Sequence, residues 1–337
     1  MRFLISSTLL LVSSVSSAQD NHLGVTLPGL SGKPERRIQI AKELGATWYR
    51  PAPVLLNADA KCEDCETARS AGLSLSLVVR NANSASKPSA PISDPADFKR
   101  KLRDILNREK PGILVVEDEP DDPKSFTGTS DDYRAELAAA CEVSSELKIP
   151  CANGGFSSHN IALLAIDQRY SSDPNDAANI ANTTEIVRVG GHGTDFNILG
   201  TPVANVGENR KPVIDATRKF LDKNQHEIDR MRQFIDAVNQ SKVDRLNFHW
   251  YELQVDNLPK VLDSLHEVSK LPLMSDGMGD KSGRAFAVGE QIKTSFDNYV
   301  WPMIWQGTDD REIQGLVDKN GKLRPTANAF KSEAARQ

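Results

Sequence analysis

Short apolar segments alternate with amphipathic helical stretches over nearly the whole chain. Such alternation is typical of βαβ units, in which parallel strands are joined by helices that pack on the sheet. Eight apolar segments can be distinguished, namely Leu23–Leu27, Thr47–Pro51, Leu73–Arg80, Gly112–Glu119, Pro150–Gly155, Arg245–Glu252, Leu271–Ser275 and Tyr299–Trp305. Eight parallel strands are what a closed (β/α)8 barrel, or TIM barrel, requires, and such a barrel fits within 337 residues. We therefore predict this α/β fold, formed as one domain by residues 19–337.

The main alternative is an open, doubly wound parallel sheet. Sheets of that kind usually carry a glycine-rich turn after the first strand. Here Leu23–Leu27 is followed by Pro28 and Gly29 without a G-x-G-x-x-G sequence. The absence of that turn favours the barrel.

Helix signals occupy most of the connections between these segments. Asp94 precedes Pro95, which predicts an N-cap followed by proline at the first helical position. Ser130 is predicted to cap a helix that runs to about Leu147. Further helices are predicted around Pro34–Leu44, His226–Asn239, Leu258–Ser269 and Arg284–Asp297. Residues 156–225 are less regular, and we expect a long excursion there, of the kind that is usually functional in compact domains.

The N-terminus has the pattern of a secretory signal peptide. Met1 and Arg2 form a positive start, Phe3–Val15 is an apolar and hydroxyl-rich stretch, and small residues end at Ala18. Cleavage after Ala18 would release the protein to the periplasm or the exterior, with no membrane attachment. A membrane anchor is the alternative, but the run is shorter than the ~20 residues that span a bilayer.

Four cysteines follow the predicted cleavage site. An exported protein meets oxidising conditions, so disulfides can form. We expect a local disulfide between Cys62 and Cys65, while Cys141 and Cys151 could join a helix to the next strand. The sequence alone leaves the connectivity open.

No cofactor or metal site is predicted. The Cys62–Cys65 pair has no second C-x-x-C or paired histidines after it, and a metal-dependent hydrolase built on His159, His192 and His249 would lack the usual ligand spacing. The net charge of −5 gives no attraction for nucleic acid. The oligomeric state stays open, with a monomer favoured.

Polar side chains follow most of the predicted strands at their carboxyl ends. In a (β/α)8 barrel these ends share one rim, and the active site lies there. Carboxylates beside aromatic rings on that rim suit sugars, and glycoside hydrolysis needs two carboxyl groups that flank the bond. The residues concerned include Arg50, Glu117, Asp118, Glu119, Asn153, His249, Tyr251, Asp276 and Trp305.

Glu119 is the best candidate for a general acid/base. It ends the apolar run that begins at Ile113, so it should emerge from the core into the cleft. Strand alternation would place Glu117 and Glu119 on one face and Asp118 on the other, and burial near Glu117 would raise a carboxyl pKa. The alternative is an acidic cluster at a helix N-terminus that includes Asp121.

Val116–Pro120 resembles the Asn-Glu-Pro motif that ends strand four in the large clan of retaining (β/α)8 glycoside hydrolases. The resemblance implies that Glu119 is the acid/base and that the residue before it binds the sugar. It also implies that Arg50 supports the nucleophile, that His249 and Tyr251 are the polar pair of strand six, and that Trp305 floors the sugar subsite. The tail Val317–Pro325 resembles the D-x-x-G-x-x-x-P sequence after the last strand of several such enzymes.

This chain departs from the clan's pattern at two positions. Asp118 stands in place of asparagine, and Gly277 stands where the strand-seven nucleophile should be. Asp276 is adjacent, and a β-bulge at Gly277 could turn it inward. A wide separation between the two carboxyl groups would favour inversion over retention.

Two functions remain open at this point. One is a glycoside hydrolase with Glu119 as acid and Asp276 as nucleophile or base. The other is a catalytically inactive barrel that binds carbohydrate through Trp250, Tyr251 and Trp305. If the site has decayed, replacing Gly277 with glutamate should create or raise activity.

Overall fold

The computed structural model describes residues 21–58, 61–183, 211–251, 257–310 and 313–337. Eight parallel strands form the barrel in the order β6-β5-β4-β2-β1-β9-β8-β7, and the short strand β3 pairs beside β4. The strands are β1 Leu23–Thr26, β2 Trp48–Arg50, β3 Val54–Leu55, β4 Ser74–Arg80, β5 Ile113–Val116, β6 Cys151–Asn153, β7 Leu246–Trp250, β8 Leu273–Met278 and β9 Met303–Gln306. The predicted (β/α)8 fold is confirmed.

Helices connect the strands and cover the outside of the barrel. They are α1 Pro34–Glu43, α2 Cys65–Ser70, α3 Pro95–Glu109, α4 Ser130–Glu146, α5 Ser158–Ser172, α6 Pro174–Thr183, α7 Lys211–Lys223, α8 Gln225–Asn239, α9 Leu258–Val268, α10 Ala285–Asp297 and α11 Pro325–Ala334. The Asp94 side chain caps α3 by accepting from two backbone N–H groups, as predicted. The N-cap of α4 is Thr129 rather than Ser130, because Thr129 and Asp132 form a capping box.

The prediction of irregular structure for residues 156–225 was wrong for the part of this range that the structure describes. Helix α5 begins soon after β6, and α6 and α7 occupy most of the remainder, while residues 184–210 lie outside the described residues. The run Ile161–Ile166 within α5 is buried at every position. A helix buried on all sides carries no amphipathic period, so the pattern gave no signal.

Side chains inside the barrel form their own apolar cluster. Val78, Ile113, Val115, Ala152 and Met274 pack together with Trp48 against them. Met274 belongs to β8, which does not neighbour β4, β5 or β6 in the sheet. Only the barrel interior can bring these strands' side chains together, so the barrel is filled below its mouth.

The barrel closes between β6 and β7 through side chains as well as isolated backbone bridges. The Asn153 Oδ1 atom accepts from the Asn247 backbone N–H at 2.7 Å, and Asn153 Nδ2 donates to the Asn247 carbonyl at 2.9 Å. Single bridges join Ala152 to Arg245 and Phe156 to Phe248. Asn153 was predicted to bind substrate, but the structure buries it at this seam.

Two disulfides are present, Cys62–Cys65 and Cys141–Cys151. The first is the expected local bridge, and the second joins α4 to β6. None of the described helices is long and apolar enough to cross a membrane. The predicted signal sequence lies outside the described residues.

Candidate active site

Five charged side chains meet at the carboxyl ends of β2, β5, β7 and β8. Arg50 contacts Asp276 at 3.0 Å and Asp118 at 2.9 Å. His249 contacts Glu119 through Nδ1 at 2.9 Å and Asp276 through Nε2 at 3.0 Å. The predicted convergence of polar residues from distant parts of the chain is therefore a single connected network.

Asp276 lies at the bottom of this network with none of its side chain exposed. Burial by itself would raise the pKa of this carboxyl, but the Arg50 charge and the hydrogen bonds from His249 and Asn247 outweigh burial. The pKa of Asp276 therefore lies well below its usual range, and the group is a carboxylate. Asp276 points inward, as a bulge would require, and strand pairing on both sides of β8 shows irregular register.

His249 holds both of its ring nitrogens against carboxylate oxygens. A neutral imidazole has one N–H, so one nitrogen would then face a carboxylate with a lone pair. Burial lowers the pKa of His249, yet hydrogen bonds to Asp276 and Glu119 and their charges raise it to about 10. The ring is therefore an imidazolium at neutral pH and donates to both acids.

Two glycines make room for this ring. A Cβ at Gly155 would lie 2.2 Å from the His249 Nε2 atom, and a Cβ at Gly277 would lie 2.6 Å from His249 Cδ2 and 2.4 Å from Tyr251 Oη. All three distances are far inside van der Waals contact. Gly277 therefore leaves the space that the His249 ring occupies, and a glutamate there would have to displace that ring.

Glu119 and Asp118 are the acids of this network that face solvent. About 31% of each side chain is exposed. They lie in a turn after β5 in which Glu117 and Glu119 both have positive φ, of 70° and 51°. Such values are uncommon for residues other than glycine and mark a constrained backbone.

The same turn carries Glu117 away from the site. Alternation along an extended strand was expected to place Glu117 beside Glu119, but β5 ends at Val116 and the positive φ at Glu117 interrupts the alternation. The Glu117 side chain is fully buried, and its Oε1 atom accepts from the Asn81 backbone N–H. It is therefore not available to bind a substrate.

Asp121 supports the turn from the other side. It accepts hydrogen bonds from the Ser157 backbone N–H, the Ser157 hydroxyl and the Asn160 amide at the start of α5. Burial and the nearby Glu119 charge raise the pKa of Asp121 to about 6, although its hydrogen bonds oppose the rise. Arg230 donates to the Asp121 carbonyl at 2.8 Å, which fixes the segment after Glu119.

The aromatic residues lie deeper than expected. Trp305 and Trp250 are fully buried, so no sugar ring stacks on either of them in this conformation. Tyr251 is partly buried, and its ring is 5.8 Å from that of His249. Burial and the neighbouring acids raise the pKa of Tyr251 well above its usual range, despite the Arg50 charge, so the phenol stays protonated.

Asn247 was not among the predicted site residues. Its Nδ2 atom donates to Asp276 Oδ1 at 2.6 Å, and its Oδ1 atom accepts from the Asp276 backbone N–H at 3.0 Å. Asn247 and His249 lie two residues apart on one face of β7, and Tyr251 follows directly after the strand. This two-residue spacing in the sequence could have identified Asn247 as a site residue.

The geometry limits what the acids can do together. The imidazolium of His249 stands between Glu119 and Asp276, so a glycosidic bond cannot lie between those two carboxyl groups while the ring keeps its place. Glu119 can still exchange a proton with a group bound at the mouth. Among the described residues, one group of potential metal ligands lies close together, but two of its members, Cys62 and Cys65, form a disulfide.

No protein-family model and no curated protein sequence matches this chain. Solved structures do match its fold. An endo-β-1,3-glucanase of glycoside hydrolase family 128, subgroup II, from Sorangium cellulosum superposes with a TM-score of 0.53 at 13% identity, covering 92% of this chain and 97% of that chain.

Two other structures show the same fold. A subgroup I endo-β-1,3-glucanase from Amycolatopsis mediterranei, in complex with laminaripentaose, gives a TM-score of 0.51 at 11% identity, covering 93% of this chain and 99% of that chain. A fungal β-1,4-galactanase gives 0.50 at 10% identity, with coverages of 91% and 93%. The chain shares the (β/α)8 fold of these glycoside hydrolases.

Proposed function

We propose that this protein acts on a glycan at the mouth of the barrel, with Glu119 as general acid/base. The observation that carries the proposal is the Glu119 carboxyl, which is solvent-accessible at the carboxyl end of β5 and hydrogen-bonded to the His249 imidazolium at 2.9 Å. Active sites of (β/α)8 barrels lie at this end. Glu119 can give a proton to the glycosidic oxygen there, while Asp118, the second solvent-facing acid, takes a proton from the water that attacks the sugar carbon.

The other members of the network serve Glu119 and the substrate. Asp118 is the second accessible acid and can accept hydrogen bonds from sugar hydroxyls, while Arg50 holds it in place. Asp276 is too buried to meet a sugar carbon or a water at the mouth. It acts instead as the fixed negative charge that keeps His249 protonated and oriented.

The fold that this chain shares with known glycoside hydrolases supports a substrate class. The solved structures with this fold include enzymes named for β-1,3-glucan and β-1,4-galactan, some bound to laminarioligosaccharides. Both polymers are neutral and β-linked. We therefore infer a neutral β-linked polysaccharide, with β-1,3-glucan as the first to test.

A second candidate function is glycan binding without hydrolysis. It is favoured by one specific observation, the seating of His249 between Glu119 and Asp276, with Gly277 where a nucleophile would otherwise stand. In this case Glu119 and Asp118 accept hydrogen bonds from sugar hydroxyls and transfer no proton.

The two functions separate in one experiment. Wild type, Glu119→Gln and the control Glu142→Gln are assayed for release of reducing ends from soluble β-1,3-glucan and β-1,4-galactan, and for binding of the matching oligosaccharides by calorimetry. Glu142 lies on α4 with 57% of its side chain exposed, outside the site. Hydrolysis by wild type and Glu142→Gln but not by Glu119→Gln supports the enzyme. Oligosaccharide binding without hydrolysis supports the second candidate. If wild type neither hydrolyses nor binds these glycans, both candidates are rejected.

We also propose that the protein is exported, with cleavage after Ala18. Mass spectrometry of the protein recovered outside the cytoplasm tests this. A mature chain that begins at Gln19 is expected, and a cell-associated chain that retains Met1 would contradict it.

A further inference from the structure

Two buried carboxyl groups that interact with each other lie outside the network just described. Glu117 follows β5 at its carboxyl end, and Glu136 lies in the middle of α4. Both side chains are almost completely shielded from solvent. They interact with each other between the sheet and the helix layer, and nothing in the proposed reaction uses either of them.

The hydrogen-bond donors around this pair are too few for two carboxylates. Glu117 Oε1 accepts from the Asn81 backbone N–H at 2.5 Å. Glu117 Oε2 and both oxygens of Glu136 have no hydrogen-bond partner within normal geometry among the residues that the structure describes, and the buried Ser89 hydroxyl, which also lacks one, is the only further donor that acts on Glu117 in this part of the chain. Arg80 Nε lies 3.8 Å from Glu117 Oε2, within ion-pair range but beyond a hydrogen bond.

Two adjacent buried carboxylates with so few donors would be costly, because burial and like charge both oppose ionisation. We propose that Glu117 and Glu136 share one proton in a carboxyl–carboxylate hydrogen bond, and that this acid pair positions Glu119 by fixing the turn after β5 against α4. Glu136 is the donor, since Glu117 already has the Asn81 N–H and the Arg80 charge beside it. The link to catalysis rests on the proposed function, whereas the shared proton does not.

The electrostatics of the surroundings agree with this assignment. Burial is the main cause that raises the pKa of both carboxyls, and the pKa of Glu136 is raised well above its usual range. Arg80 is the one cation that faces the pair among the described residues, and it acts on Glu117. Tyr133 feels both carboxyl charges and supplies no positive charge itself.

The pair is joined mechanically to Glu119. Tyr133, one turn before Glu136 on α4, donates to the Val116 carbonyl at 2.9 Å and accepts from the Gly154 N–H at 2.8 Å. The Gly154 Cα lies so close to the Glu117 carbonyl that a Cβ would come within 2.6 Å of it. With Glu117 held between α4 and β6, the positive φ values at Glu117 and Glu119 are fixed from one side.

The pH dependence has a definite sign. The folded-state pKa of Glu136 lies above its unfolded value, so the native state holds a proton that the unfolded state has released. The contribution of Glu136 to stability is therefore fully present below the unfolded pKa, near 4.5, and is lost as pH rises from there towards the folded pKa. At alkaline pH the proton leaves and the two carboxylates repel each other, which releases the turn.

The first test follows thermal and denaturant unfolding from pH 4 to pH 9 in wild type, Glu136→Gln and Glu142→Gln. A glutamine at position 136 keeps a donor for Glu117 but cannot titrate. Relative to Glu136→Gln, wild type should lose about tenfold in its folding equilibrium constant per pH unit between the unfolded pKa and the folded pKa of Glu136. Parallel profiles for wild type and Glu136→Gln would overturn the shared proton, whatever the glycan assays give.

The second test reads the position of Glu119 without any substrate. The His249 imidazolium owes its raised pKa partly to Glu119, so NMR titration of His249, assigned with His249→Asn, reports whether Glu119 stays in contact. Glu136→Gln should titrate at the wild-type pH or above. Glu136→Leu, which leaves Glu117 without a donor, should titrate at least one pH unit lower.

Identical His249 titrations in all three proteins would show that the pair does not position Glu119. If Glu136→Leu does not fold, the comparison of wild type with Glu136→Gln decides the matter. In wild type the pair opens at alkaline pH, so loss of the Glu119 contact must begin at lower pH than in Glu136→Gln. Equal onset in the two proteins overturns the positioning role.

Discussion

Replacing Gly277 with alanine should displace His249 and weaken the whole network. A single methyl group at this position would lie 2.4 Å from Tyr251 Oη and 2.6 Å from His249 Cδ2. The His249 ring cannot retreat freely, because it is hydrogen-bonded at both nitrogens at 2.9 and 3.0 Å. A shift of a few tenths of an ångström or more takes these bonds towards or beyond the ~3.2 Å limit of good geometry.

The magnitude follows from two sources. Inserting a methyl group into a packed interior costs about 1–3 kcal/mol, and weakened charge-assisted hydrogen bonds add to this cost. For a chain of this length we expect a fall of a few degrees in the melting temperature. The pKa of His249, about 10 in the wild type, should fall as its contacts with Glu119 and Asp276 lengthen.

Differential scanning calorimetry and NMR titration of His249 measure both effects. Gly289→Ala is the matched control, because a Cβ there meets nothing closer than 3.9 Å and lies in a helix, where alanine is favoured over glycine. The reasoning is refuted if Gly277→Ala keeps both the wild-type melting temperature and the wild-type His249 titration. Hydrolysis gained in Gly277→Glu would likewise refute it.

Three further perturbations test other parts of the account. Arg50→Met should destabilise the protein by about 1–3 kcal/mol, because Asp276 loses one of its two cationic partners and keeps only the His249 imidazolium; unchanged urea unfolding would contradict the ion pair. Because the pKa of His249 is raised, its protonation stabilises the native state fully below pH 6.5, and this contribution is lost as pH rises towards about 10. A His249→Gln variant should lack this alkaline loss of stability, and a loss of equal size in that variant would show that another group causes it. Removing the Cys141–Cys151 disulfide by a double substitution to alanine should cost about 2–4 kcal/mol, measured by thermal unfolding against Cys62→Ala/Cys65→Ala, and no loss in either variant would contradict a stabilising role.

The sequence predicted the barrel because its signals are local. Each strand is an apolar run bounded by turn residues, and such runs survive into the structure with shifts of a few residues at their ends. The boundary of β8 was the largest error of consequence, since the strand continues through Asp276 and Gly277 to Met278. Polar residues within a strand look like a strand end when only hydropathy is considered.

The site was predictable in its members but not in its connections. The positions of Arg50, Glu119 and His249 after apolar runs indicated one rim, because parallel strands end on the same side. The directions of Glu117 and Asn153 were not predictable. The direction of Glu117 depends on its positive φ after the end of β5. The direction of Asn153 depends on the contact between β6 and β7, where side-chain amides replace backbone pairing.

The central claim is that Glu119 transfers a proton to or from a bound glycan. The most direct measurement is the initial rate of reducing-end release from β-1,3-glucan by wild type, Glu119→Gln and Glu142→Gln at equal folded concentration. We expect Glu119→Gln to lose at least about a hundredfold in rate, to keep its oligosaccharide affinity within severalfold, and Glu142→Gln to match wild type. A Glu119→Gln variant that hydrolyses the polymer at the wild-type rate would contradict the claim.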